Sequence, residues 1–533
     1  MRAECLPYTS LPHTTRLFSD LLYAYPKVQQ FYPRSPDLKL WARDEVHRIN
    51  YDSARRQRVA EVLKRQNIGL GASAETFKNI ERLRAGAVCV VTGQQVGLFG
   101  GPLFAIFKGL SAIRLAADAT ALGVECVPLF WLATEDHDLA EVNHANLLGP
   151  DNEVHTLTSS SHAVPDAPAG TVVLGDEINQ LLDAASKLLG ESDAIRVLHE
   201  SYRPSETLGS TFARLFAKLL GRWGVIMLDA SDPELHVIAQ PIYTGALERA
   251  PELDEAVLER GRALTAAGYH EQVKVTEAST LLFAFQDGAR VAIRRGNGEF
   301  RIAKERISRD TLLDRVTKPE QFSANVLLRP VVQDYLLPTI AYTGGPAECA
   351  YFAQAGVVYE KLLGRVTPVV PRFSATLVEP RIASLLEKYA LKLPEVFQGP
   401  EHVGELLAGR ILPSELRSAF ETAKQQLEKS MEKIESSLNR LDPTLVDSAR
   451  RAASKMFHQL TTLREKAARA EAMRSDVLRR HASQLSNALY PNKNLQEREI
   501  AGISFVARHG LGLIESLYQL ASAGCPDHQI VYI

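Results

Sequence analysis

The sequence contains few cysteines and no long hydrophobic run. Its 533 residues include five cysteines, an odd number, with no C-x-x-C pair. This scatter argues against a disulfide framework, so we expect reduced thiols, and it disfavours the alternative of a zinc site built from Cys89, Cys126 and Cys349. No apolar run approaches the ~20 residues of a membrane span, and the N-terminal stretch lacks the apolar core of a signal peptide. We therefore expect a cytoplasmic protein with no membrane partner.

An excess of either charge is also absent. Lys and Arg number 61 against 63 Asp and Glu, for a formal net charge of -2. A chain with this net charge has no overall positive electrostatic potential that would attract nucleic acid. We therefore expect no nucleic-acid partner. The composition is that of a folded globular protein, and the length is sufficient for two to four domains.

A strand, a glycine loop and a helix are predicted in succession within Val88–Ala117. The apolar run breaks at Thr92-Gly93-Gln94-Gln95, and an amphipathic helix starts near Pro102. Loop N–H groups and the positive end of a helix dipole would then point to one place, which suits a phosphate or carboxylate. The spacing matches neither the dinucleotide fingerprint nor the P-loop. The pattern therefore predicts an anion site without naming its ligand.

An acidic block follows the next predicted strand, Glu125–Ala133. It consists of Glu135, Asp136, His137 and Asp138. Two parallel strands joined by a crossover helix form a Rossmann-like unit, and ligands of such sheets lie at the carboxyl ends of the strands. The block could supply a general base, a metal-ligand set or hydroxyl partners. A solvated helix N-terminus is the alternative, and no second histidine closes a metal site.

Parallel-sheet patterns return late in the chain. A strand at Leu336–Tyr342 is predicted to run into Gly344, Gly345 and a helix, and a strand at Arg365–Val370 to run into Arg372 and Ser374. The fold class we predict is α/β, with a Rossmann-like parallel-sheet core split by an inserted α+β lobe and followed by a long antiparallel helical arm. The segments are a helical lead-in packed on the core (1–86), the first core half (87–150), the inserted lobe (151–325), the second core half (326–380), the coiled-coil arm (381–490) and a C-terminal segment that returns to the core (491–533).

The arm is predicted from apolar residues that step by four and three. They run from Leu416 to Leu441, a turn follows at Asp442-Pro443, and a second such helix extends to Met473. A single hairpin of this length seldom buries both apolar seams. We therefore expect a homodimer formed through the arm.

Two interpretations remain open for each of several single residues. Lys108 could reach a phosphate, or its side chain could extend to solvent. Cys349 could be a reactive thiol or a small buried filler. Arg329, Gln333 and Asp334 could reach the cleft or merely brace the inserted lobe. A Gly296-Asn297-Gly298 turn is also predicted within that lobe.

Five motifs occur in a specific order along the chain. They are T-G-Q-Q-V-G-L-F-G-G-P-L, W-L-A-T-E-D-H-D, L-R-P-V-V-Q-D-Y-L-L-P-T, A-Y-T-G-G-P-A-E and V-P-R-F-S-A-T-L. Together they resemble the bacillithiol biosynthesis cysteine-adding enzyme family over nearly the whole chain. The resemblance implies a ligase that joins L-cysteine to the amino group of glucosaminyl-malate, the last step in making bacillithiol. It also implies connecting-peptide insertions, dimerisation through the coiled coil and binding of an adenine nucleotide.

The resemblance also implies roles for strand-end residues, to which we add Gln333. The catalytic set is Glu135, Asp136, His137 and Asp138, and the substrate- or nucleotide-binding set is Gly93, Gln94, Gln95, Gly97, Gly100, Gly101, Gln333, Gly344, Gly345, Glu348, Arg372 and Ser374.

The order of parts is also similar to that of class I aminoacyl-tRNA synthetases and the mycothiol cysteine ligase. The His-Ile-Gly-His and Lys-Met-Ser-Lys-Ser signatures are absent, which weakens an adenylation mechanism. Amide formation from a free carboxylate needs activation, so ATP is the expected cofactor, with Mg²⁺ as its companion. The alternatives are another ATP-dependent ligase or nucleotidyl-transfer enzyme, or a non-catalytic nucleotide-binding scaffold that acts through its coiled coil.

Overall fold

A computed structural model gives the architecture of most of the chain. The centre of the turn expected at Gly296–Gly298, Asn297, lies outside the described residues, as does the side chain of Met473. The residues described are 1–161, 163–296, 298–411, 414–521 and 524–533.

Over these described ranges, the strands form three sheets and a separate hairpin. They are β1 (Arg2–Leu6), β2 (Val88–Gln94), β3 (Cys126–Leu132), β4 (His144–Leu148), β5 (Val154–Thr158), β6 (Ile226–Asp229), β7 (Ser279–Gln286), β8 (Ala289–Gly296), β9 (Glu299–Ile302), β10 (Glu305–Ile307), β11 (Phe322–Ala324), β12 (Thr339–Gly344), β13 (Val369–Pro371), β14 (Ala375–Val378) and β15 (His528–Tyr532).

The helices surround these sheets and form the arm. They are α1 (Arg16–Tyr23), α2 (Ala42–Glu45), α3 (Ser53–Gly69), α4 (Ala74–Ala85), α5 (Phe104–Ala121), α6 (Leu139–Val142), α7 (Glu177–Leu189), α8 (Asp193–Ser201), α9 (Leu208–Leu219), α10 (Pro233–Glu248), α11 (Ala250–Ala266), α12 (Arg309–Arg315), α13 (Arg329–Leu336), α14 (Pro346–Leu363), α15 (Pro380–Lys388), α16 (Leu393–Val396), α17 (Pro400–Ile411), α18 (Ser414–Leu441), α19 (Val446–Arg474), α20 (Asp476–Leu489), α21 (Gln496–Glu499), α22 (Gly502–His509) and α23 (Gly512–Ala521). Within the described ranges, no helix is both long enough and apolar enough to cross a membrane.

The central sheet is parallel and has the order β13-β12-β2-β3-β6. Every residue of β3 and nearly every residue of β2 is buried, as expected for parallel strands covered on both faces. Cys89 and Val91 pack in the core formed with α3 and α4, whereas Val88 and Val90 pack with α5. The chain leaves β2 toward β3 and later returns to β2's other side as β12, so the strand order reverses between β2 and β12. This switch point is where ligands bind in open α/β sheets.

The predicted split α/β core is confirmed, but two boundaries need correction. Ile226–Asp229 forms β6, the edge of the central sheet, so the segment 151–325 is not one uninterrupted insert. This short apolar run follows a helix closely, and periodicity alone does not separate such a run from a helix end. The strand expected from Leu336 begins instead at Thr339, because Arg329–Leu336 is helical.

The inserted lobe contains the antiparallel sheet β10-β9-β8-β7-β11. Helices α10 and α11 pack against β7 of this sheet. The lobe also contacts the acidic block, because Arg290 of β8 donates a hydrogen bond to Ala324 O and lies 3.1 Å from Nδ1 of His137.

The two chain ends meet in a small sheet of β1, β15 and β14. Cys5 and Cys525 form a disulfide there, with their Cα atoms 6.5 Å apart. The expectation of five reduced thiols is therefore wrong for this pair. The pairing of β1 with β15 brings Cys5 close to Cys525, which precedes β15 and lies 520 positions away in sequence. The other three cysteines are free and buried. Burial raises the pKa of Cys126 to about 12, and it also raises the pKa of Cys349, so neither thiol is activated.

The arm is an antiparallel pair formed by α18 and α19. Arg450 pairs with Glu435, and Arg464 pairs with Glu421, which fixes the opposite directions of the two helices. Met431 is buried between the helices with two alanines of α19. The predicted helical hairpin is confirmed.

Candidate functional site

A cavity of about 310 Å³ lies at the switch point of the central sheet. We call it the first cavity. The ends of β2 and β12 and the starts of α5, α13 and α14 supply most of its wall. The lining residues are Gly93, Gln94, Gln95, Phe104, Lys108, Ala133, Asp136, Glu141, Val326, Arg329, Gly345, Ala347, Glu348, Tyr351, Arg372 and Arg498.

Lys108 and Glu348 form a buried ion pair in this wall. Lys108 Nζ lies 2.7 Å from Glu348 Oε2 and donates hydrogen bonds to Gly93 O (2.7 Å) and Gln94 Oε1 (2.8 Å). Burial lowers the pKa of Lys108 to about 8, against the opposing effect of Glu348. Burial would raise the pKa of Glu348, but Lys108 holds it below its ordinary value. Lys108 thus neither extends to solvent nor points a free ammonium at a ligand, because all three of its donors are used.

Arg372 forms the second buried ion pair. Its Nη1 and Nη2 atoms lie 3.1 and 2.6 Å from the two carboxylate oxygens of Glu497. Its Nε is buried without a hydrogen-bond partner. A Cβ added at Gly345 would lie 3.3 Å from this Nε, so glycine keeps the space beside the donor open. The unpartnered N–H of this guanidinium suits an anionic oxygen of a ligand.

Two more arginines line the cavity without a carboxylate partner. Among the described residues, no Asp or Glu oxygen lies within 4.0 Å of the guanidinium of Arg329 or Arg498. Arg329 instead donates a hydrogen bond of 2.6 Å to Tyr351 Oη. The Phe104 ring centroid lies 5.3 Å from Arg372 and 5.9 Å from Arg498. The cavity wall therefore holds two arginine side chains that have no carboxylate partner among the described residues, and a guanidinium of this kind suits carboxylate or phosphate ligands.

Asp136 is the acidic-block residue that lines the first cavity. Gln95 Nε2 donates to Asp136 Oδ2 (2.7 Å) and to Glu141 Oε2 (3.0 Å), so one amide holds two carboxylates. Asp136 Oδ1 also accepts the N–H of His137 at 2.8 Å. Free lone pairs remain on the Asp136 carboxylate, which can accept a proton from a ligand.

The other three residues of the block point elsewhere. Glu135 Oε1 lies 3.0 Å from Nε2 of the buried His236. His137 contacts Arg290 of the inserted lobe. Asp138 Oδ1 accepts the N–H of Glu141 at 3.1 Å and caps α6. Their side chains do not line the first cavity, so a direct catalytic role for them stays a prediction.

The N–H groups of the glycine loop hold the loop in its conformation and are not free to bind an anion. Gly97 N, Gly100 N and Gly101 N donate to carbonyl oxygens within the loop. A Cβ at Gly97 would lie 2.9 Å from the Cα of Gly101, and Gly100 and Gly101 have φ values of +88° and +65°. The hypothesis that these N–H groups hold an anion does not fit this geometry, because their hydrogen bonds are already made.

The remaining predicted site residues lie behind the cavity wall. Gln333 is fully buried and donates to Asp334 Oδ1 at 3.0 Å. Ser374 donates to Glu497 and contacts His528. Gly344 O accepts the N–H of Arg372 at 2.9 Å. These residues support the cavity rather than line it.

A second cavity, of about 240 Å³, adjoins the first. It shares Gln94, Gln95, Phe104, Glu141 and Arg498 with the first cavity. The residues that line only the second cavity are Gly97, Gly101, Pro102, Val142, His144, Ala145, Asn146, Asn494, Glu499 and Ala501.

Comparison with known proteins identifies the family. Residues 1–373 match the description "Bacillithiol biosynthesis BshC, N-terminal Rossmann-like domain", and residues 375–533 match "Bacillithiol biosynthesis BshC, C-terminal coiled-coil domain". The chain belongs to the BshC family. The family resemblance seen in the sequence motifs is thereby confirmed.

Relatives of the BshC family match along most or all of the chain. A protein of Koribacter versatilis (strain Ellin345), named "Putative cysteine ligase BshC", is 47% identical over 100% of both chains. A protein of the same name from Solibacter usitatus (strain Ellin6076) is 36% identical over 100% of both chains. One from Symbiobacterium thermophilum is 34% identical over 87% of both chains.

The boundary between the two BshC domains passes through the site. Arg372 belongs to the Rossmann-like part and its partner Glu497 to the coiled-coil part. The C-terminal part also supplies Arg498 to both cavities. The sequence left open whether Arg329 reaches the cleft, and the structure places it in the wall of the first cavity. The sequence did not predict Arg498, Asn146, Asn494 and Glu499 as site residues. No spacing rule connects these four residues, because Asn146 lies far in sequence from Asn494, Arg498 and Glu499.

Proposed function

We propose that this protein is a ligase that joins L-cysteine to the amino group of glucosaminyl-malate, the last step of bacillithiol biosynthesis. Membership of the BshC family supports a ligase role in this pathway. The observation that carries the proposal is the cavity at the switch point, where Arg329 and Arg498 have no carboxylate partner among the described residues and Asp136 lies in the same wall. Cysteine and malate both offer carboxylates to such a cavity.

Amide formation requires an activated carboxyl and a neutral amine. Asp136 lines the cavity with lone pairs free to accept the proton that the sugar ammonium must lose before it attacks. Arg329 would bind the carboxylate of cysteine and orient it toward that amine. The neutral amine then forms the C–N bond, and the carboxyl oxygen leaves with the activating group.

An adenine nucleotide fits the residues present. When bound, it would supply the phosphoryl or nucleotidyl group that turns the carboxyl oxygen into a leaving group. The unpartnered Nε of Arg372, beside the open space at Gly345, would hold one phosphate oxygen. Phe104 offers an apolar surface next to these cations. These contacts support nucleotide binding in the first cavity.

Mg²⁺ would accompany the phosphates rather than occupy a protein cage. Among the described residues, the cluster of three possible metal ligands is the exposed set Asp151, Glu153 and His155, and none of these lines either cavity. Asp136 and Glu141 are the carboxylates available near the ligand. Mg²⁺ commonly uses one or two carboxylates together with substrate phosphates.

The proposal is tested by measuring product formation and substrate binding with the purified protein. The protein is incubated with L-cysteine, glucosaminyl-malate, Mg²⁺ and ATP, and the thiol product is measured by mass spectrometry. We expect product that depends on all three substrates. Titration calorimetry with each substrate separates the scaffold alternative, since a scaffold would bind the nucleotide but neither cysteine nor the sugar. Absence of both turnover and substrate binding would overturn the proposal.

We also propose a homodimer formed through the arm and a cytoplasmic location. Several large apolar side chains of α18 and α19 stay exposed in the single chain, including Ile434 and Leu463. A second copy packed along the arm would bury them. A biosynthetic ligase that uses cysteine and a nucleotide would find both substrates in the cytoplasm.

A further inference from the structure

The wall of the second cavity is fixed by backbone hydrogen bonds between distant segments. Leu103 N donates to Ile500 O (2.8 Å), Gly502 N donates to Gly101 O (3.2 Å), and Ala501 N donates to Asn146 O (2.9 Å). The C-terminal segment is thereby joined to both the glycine loop and β4. The second cavity is a built feature of the fold rather than a gap between loosely packed parts.

The polar groups of this cavity form an ordered amide and carboxylate network. Glu499 Oε1 accepts hydrogen bonds from Asn146 (3.0 Å) and Asn492 (2.7 Å), and its Oε2 lies 3.5 Å from Asn494 Nδ2. Thr156 donates to Asn146 Oδ1 at 2.6 Å, which fixes the orientation of that amide. Carboxylates accept and amides both donate and accept, which is the combination that neighbouring hydroxyl groups require.

Arg498 stands at the boundary of the two cavities. Neighbouring Lys108 and Arg372 are compensated by Glu348 and Glu497, but no carboxylate oxygen lies within 4.0 Å of the Arg498 guanidinium among the described residues. A planar guanidinium that is free to bind two oxygens at once suits a carboxylate. A guanidinium at the boundary and a network of amides and a carboxylate beyond it indicate a ligand that carries both a carboxylate and hydroxyl groups.

The sizes of the cavities indicate that they form two parts of one site. Ligand pockets commonly measure ~300 Å³ or more. The second cavity, at about 240 Å³, is below that range and shares Gln94, Gln95 and Arg498 with the first. A ligand fragment in the second cavity therefore lies next to whatever occupies the first.

We infer that the second cavity binds the acceptor, a sugar with a carboxylate-bearing substituent, with Asn494 and Glu499 contacting sugar hydroxyls and Arg498 contacting a carboxylate. This inference rests on the proposed function, in which glucosaminyl-malate is the acceptor. The sugar amine then faces the first cavity across the shared wall, where Asp136 lies beside Gln95. Arg498 is thereby the residue that selects the malate conjugate over a glucosamine derivative that has no carboxylate.

The experiment compares the binding of two sugars to wild type and to variants of Arg498 and Asn494. Binding of glucosaminyl-malate and of methyl glucosaminide, which lacks the carboxylates, is measured by calorimetry on wild type, Arg498→Ala, Arg498→Lys and Asn494→Ala. The control is Arg58→Ala, an exposed arginine of α3 outside both cavities.

We expect Arg498→Ala to weaken the binding of glucosaminyl-malate about tenfold or more. The affinity for methyl glucosaminide should stay within about twofold of the wild-type value. Arg498→Lys should retain part of the affinity, Asn494→Ala should weaken both sugars, and Arg58→Ala should change neither. Arg498 is exposed, so its replacement should not disturb folding, and circular dichroism checks this.

Three results would overturn the inference. If Arg498→Ala and Asn494→Ala both bind glucosaminyl-malate like wild type, the second cavity is not the acceptor site, while the proposed function stands. If Arg498→Ala weakens ATP but not the sugar, the arginine serves the nucleotide. If wild type binds no glucosaminyl-malate at all, this inference and the proposed function fail together.

Discussion

Nζ of Lys108 lies 2.7 Å from Oε2 of Glu348, in the wall between β2 and β12. The same ammonium holds Gly93 O at the end of β2, while Glu348 accepts the N–H of Gly345 after β12 at 2.8 Å. One buried ion pair therefore joins the two strand ends that face each other across the switch point. The spacing of these two strands sets the width of the first cavity.

Replacement of Lys108 by methionine should destabilise the fold by roughly 3–5 kcal/mol, because it leaves the buried Glu348 carboxylate without its cation. Glu348→Gln should cost a comparable amount. The double variant should lose much less than the sum of the two single changes, since no buried charge is left alone. Urea unfolding of the four proteins measures this coupling, and strictly additive free energies of unfolding would contradict it.

Asp136 and Asp138 should respond differently to conversion to asparagine. Asp136→Asn should lower kcat/KM roughly 100-fold or more, because it removes the proton-accepting carboxylate in the first cavity. Asp138→Asn should keep activity within a few-fold, because Asp138 caps α6 and asparagine is an equally good cap. The assay is thiol product formed from cysteine, glucosaminyl-malate and ATP. Equal losses in the two variants would remove the distinction drawn from their positions.

The elements of the core were predictable because local patterns determine them. Long apolar runs ending in Gly93 and in the acidic block indicated two buried parallel strands, and these are β2 and β3. The sheet edge that holds the site followed from the same patterns together with the rule for open α/β sheets. The helical arm followed from its three-and-four repeat.

The directions of the side chains were not predictable from the same patterns. Glu135 faces His236, and His137 faces Arg290, partners that lie about a hundred or more positions away in sequence. Glu497 pairs with Arg372 and Glu348 pairs with Lys108, so neither carboxylate pairs with Arg498. The sequence pattern does not show these pairings. The predicted anion site in the glycine loop also does not fit the structure, because the loop N–H groups make hydrogen bonds within the turn. Sequence spacing does not reveal these bonds.

His528 should make the protein less stable in acid. The ring is buried between Ser374 and Thr376, and burial lowers its pKa to about 4 from the ordinary 6.5. Between these pH values the unfolded chain binds more protons than the folded chain, so stability is complete above pH 6.5 and falls as the pH drops toward 4. The full effect is about 3 kcal/mol.

The measurement for His528 is the pH dependence of the free energy of unfolding from pH 7 to pH 4. His528→Gln should remove about 3 kcal/mol of that dependence. His47→Gln, at an exposed histidine, is the control and should leave the wild-type curve. An unchanged slope in His528→Gln would show that the ring titrates normally.

The disulfide between Cys5 and Cys525 should be visible in thiol titration. The native protein should show almost no reactive thiol, because the three free cysteines are buried. Unfolding without reductant should expose three thiols, and unfolding with reductant should expose five. The control Cys5→Ser should give four without reductant. Five thiols before reduction of wild type would show that the pair is reduced.

Dimerisation through the arm should depend on the exposed apolar side chains of α18 and α19. Ile434 and Leu463 are 45% and 57% exposed, so their replacement should not affect the folded single chain. Ile434→Glu combined with Leu463→Glu should convert a dimer to a monomer, because two charges would be buried at the interface. Sedimentation velocity measures the change, with Gln425→Glu combined with Gln459→Glu as the charge-matched control on exposed polar positions. A dimer that survives the first pair must be held together by another surface.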